Sequence, residues 1–235
     1  VKEMLALRAE KAKLLGYPSF AAFKLDDTMA KTPDAVNDLL GNVWNRAVKR
    51  ALEEEGALAE LAAREGANHA IKPWDWRHFA EKLKAERFAF NEDEVKPHLE
   101  INRIIGACFA VATRLFGITM REEDGIVAWH PDVRAFSVLD GGGETIGLFL
   151  GDYFARSSKR SGAWMSALQD QHRLGQGSTP IIYNVMNFAK APDGQPTLLS
   201  FDDARTLFHE FGHALHGLLS DVTWPSVSGT SVSRD

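Results

Sequence analysis

Residues 200–219 read SFDDARTLFHEFGHALHGLL, and this stretch decides how the chain is interpreted. Its apolar residues recur at the spacing of one helix face. Ser200 is a favourable N-cap, and Asp202 and Asp203 would lie in the first turn, where the helix dipole favours carboxylates. We therefore predict an amphipathic helix that begins near Ser200 and ends at about Leu219.

The predicted helix carries a His-Glu-x-x-His motif. His209 and His213 lie a turn apart on one helix face, so both imidazoles can bind one tetrahedral zinc ion. Glu210 lies about 100° around the helix from His209, from where it can reach a water on the metal without being a ligand. Zinc makes a bound water acidic near neutral pH, and Glu210 can take that proton and later pass it to a leaving amine. The sequence therefore predicts His209 and His213 as metal ligands and Glu210 as the catalytic base.

A catalytic zinc site usually has three protein ligands and one open position, so a third ligand is needed. His216 lies on the same stripe, but it would be strained as a third ligand from one helix, and we favour a packing or ligand-orienting role. Leu219 occupies the position at which the metzincin pattern has its third histidine, so that class is excluded. Asp221 and Asp235 remain as carboxylate alternatives. A chance motif on an ordinary helix is the alternative to any metal site.

Other polar clusters give weaker signals. The segment Trp74-Asp75-Trp76 is interpreted as packing at a helix start rather than as a cofactor site. Arg156, Lys159 and Arg160 could bind a substrate carboxylate, although a solvated basic face is the commoner explanation. The remaining histidines have no partner at metal-ligand spacing and receive no role: His69, His78, His98, His130 and His172.

The first two-thirds of the chain has helix-period patterning with clear start and stop signals. These signals predict a first helix over residues 2–15 that ends at Gly16, a second that starts at Ser19, and a third that runs from Thr32-Pro33 to the mid-sixties. After a loop at 68–73, a fourth helix is predicted over WDWRHFAEKLKAERF. A fifth, around Cys108, follows the predicted capping pair Asn91 and Glu94.

From Ile118 the period changes to that of strands. AFSVLD, the turn Gly141-Gly142-Gly143 and ETIGLFLGDYF predict an antiparallel hairpin, because glycine readily adopts the positive φ of a tight turn. PIIYNVMNFAK predicts a further strand. We expect a mainly α fold with a small antiparallel β-sheet next to the zinc-motif helix.

Two regions follow from this pattern, a helical region at 1–117 and a region at 118–235 with the sheet and the zinc-motif helix. Val1 begins inside a helical pattern, and the chain stops at Asp235 without a stop signal. We expect both regions to be parts of one larger catalytic domain that is truncated at both ends.

The composition excludes several function classes. The 235 residues are 45% hydrophobic with a net charge of −5 and no dense Lys/Arg stripe among aromatics, so nucleic acid is not an expected partner. No apolar run approaches the roughly 20 residues that cross a bilayer, so a membrane is not expected either. The single cysteine, Cys108, is expected to be a buried small side chain and cannot form an internal disulfide.

Longer segments extend the motif. The string FDDARTLFHEFGHALHGLLSDVTWPSVSGTSVSRD, together with LGYPSFAAFKLDDTMAKTP, PWDWRHFAEKLK, FLGDYFARSSKRSGAWM and IIYNVMNF in this order, resembles the thimet oligopeptidase and neurolysin family of zinc metallopeptidases. The resemblance covers nearly the whole chain. WDW and SGTSVSRD look more like the bacterial peptidyl-dipeptidase (dipeptidyl carboxypeptidase) branch than the oligopeptidase A branch.

The resemblance implies a neurolysin-like zincin fold, mostly helical and clam-shaped, with a deep channel and a small sheet beside the zinc helix. It implies one Zn²⁺ per chain in the complete enzyme, bound by His209, His213 and a glutamate that would fall beyond Asp235, with Glu210 as the catalytic glutamate. The family's N-terminal part and its C-terminal substrate-binding segment would also lie outside this chain. The chain therefore looks like the middle third of a longer enzyme.

The motif and the resemblance together predict zinc-dependent hydrolysis of short peptides, with release of C-terminal dipeptides. One alternative is an oligopeptidase that cuts internal bonds of short peptides. A second is a non-catalytic helical fragment that binds peptides. The resemblance also implies a monomer in the cytoplasm or periplasm of a bacterium, with the cytoplasm favoured.

Overall fold

The computed structural model describes residues 1–67, 69–89 and 92–232. The chain divides into two compact units, Val1–Phe90 and Asn91–Val232. In the described part of the chain, no helix is both long enough and apolar enough to cross a membrane.

In its described residues, the first unit contains helices and no strand. Ser19 and Thr32 start the second and third of them, because each hydroxyl accepts a hydrogen bond from the backbone N–H three residues ahead. The predicted starts at both residues are confirmed. The four helices are α1 (Lys2–Leu14), α2 (Phe20–Leu25), α3 (Pro33–Arg64) and α4 (Trp76–Phe88).

The contact between α3 and α4 forms a small core of Leu58, Leu61, Ala62 and Phe79, with Trp76 packed against it. Helix α4 begins later than the WDW segment suggested. The Asp75 carboxylate accepts a hydrogen bond from the Lys72 N–H at 3.0 Å and so closes the preceding turn. Within the WDW segment, only Trp76 belongs to the helix.

The second unit begins with the short helix α5 (Glu92–Val95), a 3-10 turn at Lys96–His98, and helix α6 (Ile101–Phe116). The predicted capping residue Asn91 lies outside the described residues. Helix α6 is capped instead by Glu100, whose carboxylate accepts a hydrogen bond from the Arg103 N–H at 3.1 Å. Cys108 is 1% exposed, and burial raises the pKa of its thiol to about 12.

Five strands form one sheet in the order β1-β2-β3-β5-β4. The predicted hairpin is confirmed: β2 and β3 pair antiparallel, and Gly143 has a φ of +86° in their turn. The Asp140 carboxylate accepts hydrogen bonds from Gly142 and Glu144 and fixes this turn. The strands are β1 (Thr119–Glu122), β2 (Arg134–Leu139), β3 (Thr145–Phe154), β4 (Trp164–Gln169) and β5 (Ile181–Phe188).

The expectation of a wholly antiparallel sheet is wrong. Strand β5 lies between β3 and β4, and it pairs parallel to β3, with Leu148 opposite Ile181, and antiparallel to β4. The error follows from β4, which the sequence pattern missed. Its residues, WMSALQ, contain no β-branched side chain and no clean alternation, so nothing in them predicted an edge strand. The fold is helix-rich with a small mixed sheet.

Helix α7 (Phe201–Leu218) packs with α6 on one face of this sheet. The core between them contains Phe109 of α6, Phe149 of β3 and Phe211 of α7, and the rings of Phe149 and Phe211 lie 5.5 Å apart. This packing fixes α7 against the sheet. The division of the chain at 117/118 into two regions of one larger domain stays a prediction.

Candidate metal centre

The start of α7 is fixed by a reciprocal pair of hydrogen bonds. Ser200 Oγ accepts from the Asp203 N–H, and the Asp203 carboxylate accepts from the Ser200 N–H, each at 3.0 Å. Asp202 and Asp203 both lie in the first turn, as predicted. The helix that carries the motif therefore has a defined beginning and a defined rotation.

Close contacts set the position of α7 over the sheet. A Cβ atom at Gly217 would approach Ile182 Cδ1 to 2.7 Å and Met165 Cε to 3.0 Å, so a side chain there would collide with β5 and with the edge strand β4. Leu218 lies next to Gly147 near the start of β3, whereas Phe211, two turns earlier, contacts Phe149. Helix α7 therefore runs antiparallel to β3 and β5, and its last turn lies over Ile182 of β5 and Met165 of β4.

His209 and His213 are exposed on α7, about two turns and one turn before Gly217. Their Nε2 atoms lie 3.1 Å apart and their ring planes are inclined by 84°. Two nitrogens bound to one tetrahedral zinc at 2.0–2.1 Å are separated by about 3.3 Å. If the 3.1 Å contact between the two Nε2 atoms were instead a hydrogen bond, one imidazole would have to donate and the other accept. The donor set therefore fits two of the ligands of a zinc ion.

Glu210 differs from the two histidines in burial. It is 9% exposed, and its carboxylate has no hydrogen bond or ion pair with any described residue. Its oxygens are not among the fully buried polar atoms that lack a partner, so the carboxylate itself remains in reach of solvent. The free lone pairs of Glu210 remain available to accept a proton.

No third ligand is found in the described part of the chain, because no group of three or more His, Cys, Asp or Glu side chains there is placed to hold a metal. His216 lines an apolar cavity of about 770 Å³ together with Leu115 and Leu219. Asp221 lies 3.4 Å from the Arg173 guanidinium. Asp235 lies outside the described residues. Neither His216 nor Asp221 joins the His209–His213 pair.

The sequence suggested either a site for a substrate carboxylate or a solvated basic face at Arg156, Lys159 and Arg160. In the structure, two of these residues pair with a buried acid. Asp152 is 1% exposed, and both of its carboxylate oxygens accept hydrogen bonds from Arg156 at 2.7 Å. Lys159 Nζ and Trp129 Nε1 also donate to it, at 3.2 and 2.9 Å. Arg156 and Lys159 therefore form a buried ion cluster with Asp152 and are not a solvated face. The third member of the segment, Arg160, is exposed.

The balance of burial and pairing explains the ionisation of this cluster. Burial alone would raise the pKa of Asp152, but the hydrogen bonds from Arg156, Trp129 and Lys159 outweigh it and lower that pKa. The hydrogen bond to Asp152 raises the pKa of Arg156, whereas burial lowers the pKa of Lys159. Asp152 is thus held as a carboxylate. The sequence did contain a clue to this cluster. Asp152 is the single acidic residue in the apolar strand GLFLGDYF, and a buried acid in a strand requires a partner.

Two exposed imidazoles and a carboxylate without a hydrogen-bond partner therefore lie within five residues of one another on a helix that packs on a small sheet. The chain belongs to peptidase family M3, whose family model matches residues 1–235. The resemblance predicted from the sequence segments is confirmed.

Named relatives agree with this family. The chain is 41% identical to a dipeptidyl carboxypeptidase of Salmonella typhimurium, over 100% of the chain and 35% of that protein. It is 37% identical to an oligopeptidase A of Escherichia coli, over 98% of the chain and 34% of that protein. A probable thimet oligopeptidase of Arabidopsis thaliana is 27% identical, with 34% of its length covered. The chain therefore spans about a third of the length of these curated relatives.

Proposed function

We propose that the complete protein containing this chain is a zinc-dependent peptidase that acts on short peptides and releases C-terminal dipeptides. One observation carries the proposal: two exposed imidazole nitrogens 3.1 Å apart lie next in sequence to a carboxylate that is 9% exposed and unpaired among the described residues. Membership of peptidase family M3 makes hydrolysis of peptides the reaction that fits this arrangement.

The chain's own residues have separate roles in this proposal. His209 and His213 hold the zinc ion through Nε2, and the glutamate expected beyond Asp235 completes the protein ligands. Zinc, when bound, supplies Lewis acidity that promotes attack by water on the scissile carbonyl. The Glu210 carboxylate accepts the proton from the attacking water and then donates it to the leaving amine.

The edge strand β4 offers a place for the peptide backbone. In the sheet order, β4 pairs with β5 on one side only, so its other edge is free of strands in the described part of the chain. An extended peptide can add to such an edge by main-chain hydrogen bonds, which leaves the side chains free to vary. A side chain at Gly217 of α7 would meet Met165 of β4, so the helix that carries His209 and His213 lies over this side of the sheet. A peptide on this edge would therefore pass beside the metal ligands.

The named relatives support two cleavage modes. The dipeptidyl carboxypeptidase is 41% identical and the oligopeptidase A is 37% identical, so release of dipeptides is the first choice and cleavage of internal bonds is the second. We further propose the neurolysin-like zincin fold for the complete enzyme, with this chain as its central part.

The test is a timed digest of unblocked peptides by the complete protein, followed by mass spectrometry. The proposal predicts successive dipeptides from the C-terminus, no release after treatment with a chelator, and recovery when zinc is restored. First products from interior bonds would instead establish the oligopeptidase mode. Cleavage that survives complete removal of metal would contradict zinc-dependent hydrolysis.

A further inference from the structure

A pocket of about 380 Å³ lies on the sheet face opposite to α6 and α7. Ile182 and Met186 of β5 face the helices, so the alternating residues Tyr183 and Val185 face the other side. Three aromatic side chains line the pocket, and the rings of two of them, Trp129 and Tyr183, lie 5.4 Å apart. Trp164 and Leu168 extend the pocket to the edge strand β4.

The charge of this outer-face pocket is unbalanced. Asp152 at its base is a single carboxylate, and it is already paired with Arg156 and Lys159. Arg160 lines the same pocket and, within the described part of the chain, its guanidinium has no hydrogen bond or ion pair. Three cations and one carboxylate therefore line the pocket, and the nearby Asp132, which also acts on Arg156, is paired with Lys190. The pocket has room for a further negative charge.

The cationic segment is held in place before any ligand arrives. Asn187 Nδ2 donates hydrogen bonds to the backbone carbonyls of Arg160 and Gly162 at 2.8 and 2.7 Å. Lys159 Nζ donates to the Phe154 carbonyl at 2.7 Å and is only 4% exposed. These contacts tie the backbone of the segment that contains Arg160 to the end of β5. The Arg160 side chain makes no such contact within the described part of the chain. A receptor that is already ordered loses less entropy on binding.

We propose that the outer-face pocket binds a carboxylate of the peptide substrate, with the Arg160 guanidinium as the group that contacts it. The inference rests on the proposed function, because it assumes that a peptide substrate pairs with the edge strand β4. Successive side chains of such a peptide face opposite sides of the sheet, and those that face away from α7 lie beside Trp164 and Leu168. The aromatic walls contact the aliphatic part of the peptide, and Arg160 forms a bidentate pair with the carboxylate.

Two parts of a peptide carry this chemistry, its C-terminal carboxylate and an Asp or Glu side chain. Four peptides of one length separate them: a free and an amidated C-terminus, each with either glutamate or glutamine near the scissile bond. A site for the C-terminus distinguishes free from amidated peptides. A site for side chains distinguishes glutamate from glutamine.

The affinities are measured by fluorescence anisotropy on the complete, zinc-loaded protein with Glu210→Gln, which prevents turnover. Arg160→Gln should weaken binding of the carboxylate-bearing peptides about tenfold, the loss of one charge-assisted pair, and should leave the neutral peptide unchanged. Arg103→Gln is the control, since Arg103 is an exposed arginine on α6, on the other face of the sheet. Equal loss for charged and neutral peptides, or no loss at all, would overturn the proposal.

Hydrolysis by the protein with Glu210 intact separates this inference from the proposed function. If the neutral, amidated peptide is cleaved but Arg160→Gln leaves all four affinities unchanged, the peptidase assignment holds and the carboxylate site is wrong. If the unsubstituted protein cleaves none of the four, the proposed function itself fails.

Discussion

Two buried carboxylates in the second unit differ in their partners. Asp152 is 1% exposed, and Arg156, Lys159 and Trp129 all donate hydrogen bonds to it. Glu210, on the helix that covers the opposite face of the sheet, is 9% exposed and receives no hydrogen bond from any described residue. Asp152 and Glu210 are therefore both little exposed, but the first has three hydrogen-bond partners and the second has none among the described residues. We expect the Asp152 carboxylate, with its three partners in place, to stabilise the fold, whereas the Glu210 carboxylate is the one that we propose as the catalytic base.

The largest expected effect comes from removing the unpaired carboxylate. Glu210→Gln keeps the side chain's size and both imidazoles, so the complete protein should retain its zinc but lose about 10²- to 10⁴-fold in kcat. Its free energy of unfolding should change little, because the Glu210 carboxylate has no hydrogen bond to a described residue that the substitution could remove. Steady-state kinetics, metal analysis and urea unfolding measure the three quantities.

Asp202→Asn is the control for Glu210→Gln on the same helix, because Asp202 is exposed and paired only with exposed Arg205. It should change kcat by less than a factor of about two. Substantial turnover by metal-replete Glu210→Gln would show that another group is the base.

Substitution of the paired carboxylate, Asp152, should affect stability. Asp152→Asn leaves the buried Lys159 and the partly exposed Arg156 without their counter-charge, so the free energy of unfolding should fall by about 3 kcal/mol. Urea unfolding of this chain measures the change. Asp170→Asn, at an exposed position after β4, should change stability by less than about 0.5 kcal/mol. A loss as small as that of the control would mean that the cluster contributes nothing to stability.

The same contrast should depend on pH. The pKa of Asp152 is lowered in the folded state relative to the unfolded chain, so its stabilisation is present above the unfolded pKa of about 3.9 and is lost as pH falls through the lower folded value. The difference in unfolding free energy between the unsubstituted chain and Asp152→Asn should therefore narrow below about pH 4. A difference that is constant from neutral pH into this acid range would contradict the assignment.

A smaller effect tests how α7 rests on the sheet. Gly217→Ala places a Cβ within 2.7 Å of Ile182 Cδ1 and 3.0 Å of Met165 Cε, so stability should fall by about 1–3 kcal/mol. Gly212→Ala, one and a half turns earlier on the same helix, meets nothing within 4 Å and should raise stability by up to about 1 kcal/mol. Equal effects at the two glycines would show that α7 does not contact β4 and β5 this closely.

The motif helix could be predicted from the sequence because its determinants are local. Ser200 and Asp203 specify its start within four residues, and the spacing of His209 and His213 specifies their shared face. The β2–β3 hairpin was predictable for the same reason, since its glycine turn is contiguous with both strands.

The parts that could not be predicted depend on distant residues. Strand β4 is a strand because β5 returns beside it, and its own residues carry no alternation. The partners of Asp152 come from a loop and from Trp129, which is 23 residues away. Which of the three cations in the Arg156–Arg160 segment is paired follows from that packing and not from the charge pattern.

Zinc analysis of the complete protein, with and without His213→Ala, tests the central claim most directly. If His209 and His213 share one ion, the unsubstituted protein should hold about one tightly bound zinc per chain, and His213→Ala should lose it on brief dialysis against a mild chelator while remaining folded by circular dichroism. Tight stoichiometric zinc in folded His213→Ala would contradict the account and would place the metal on other residues.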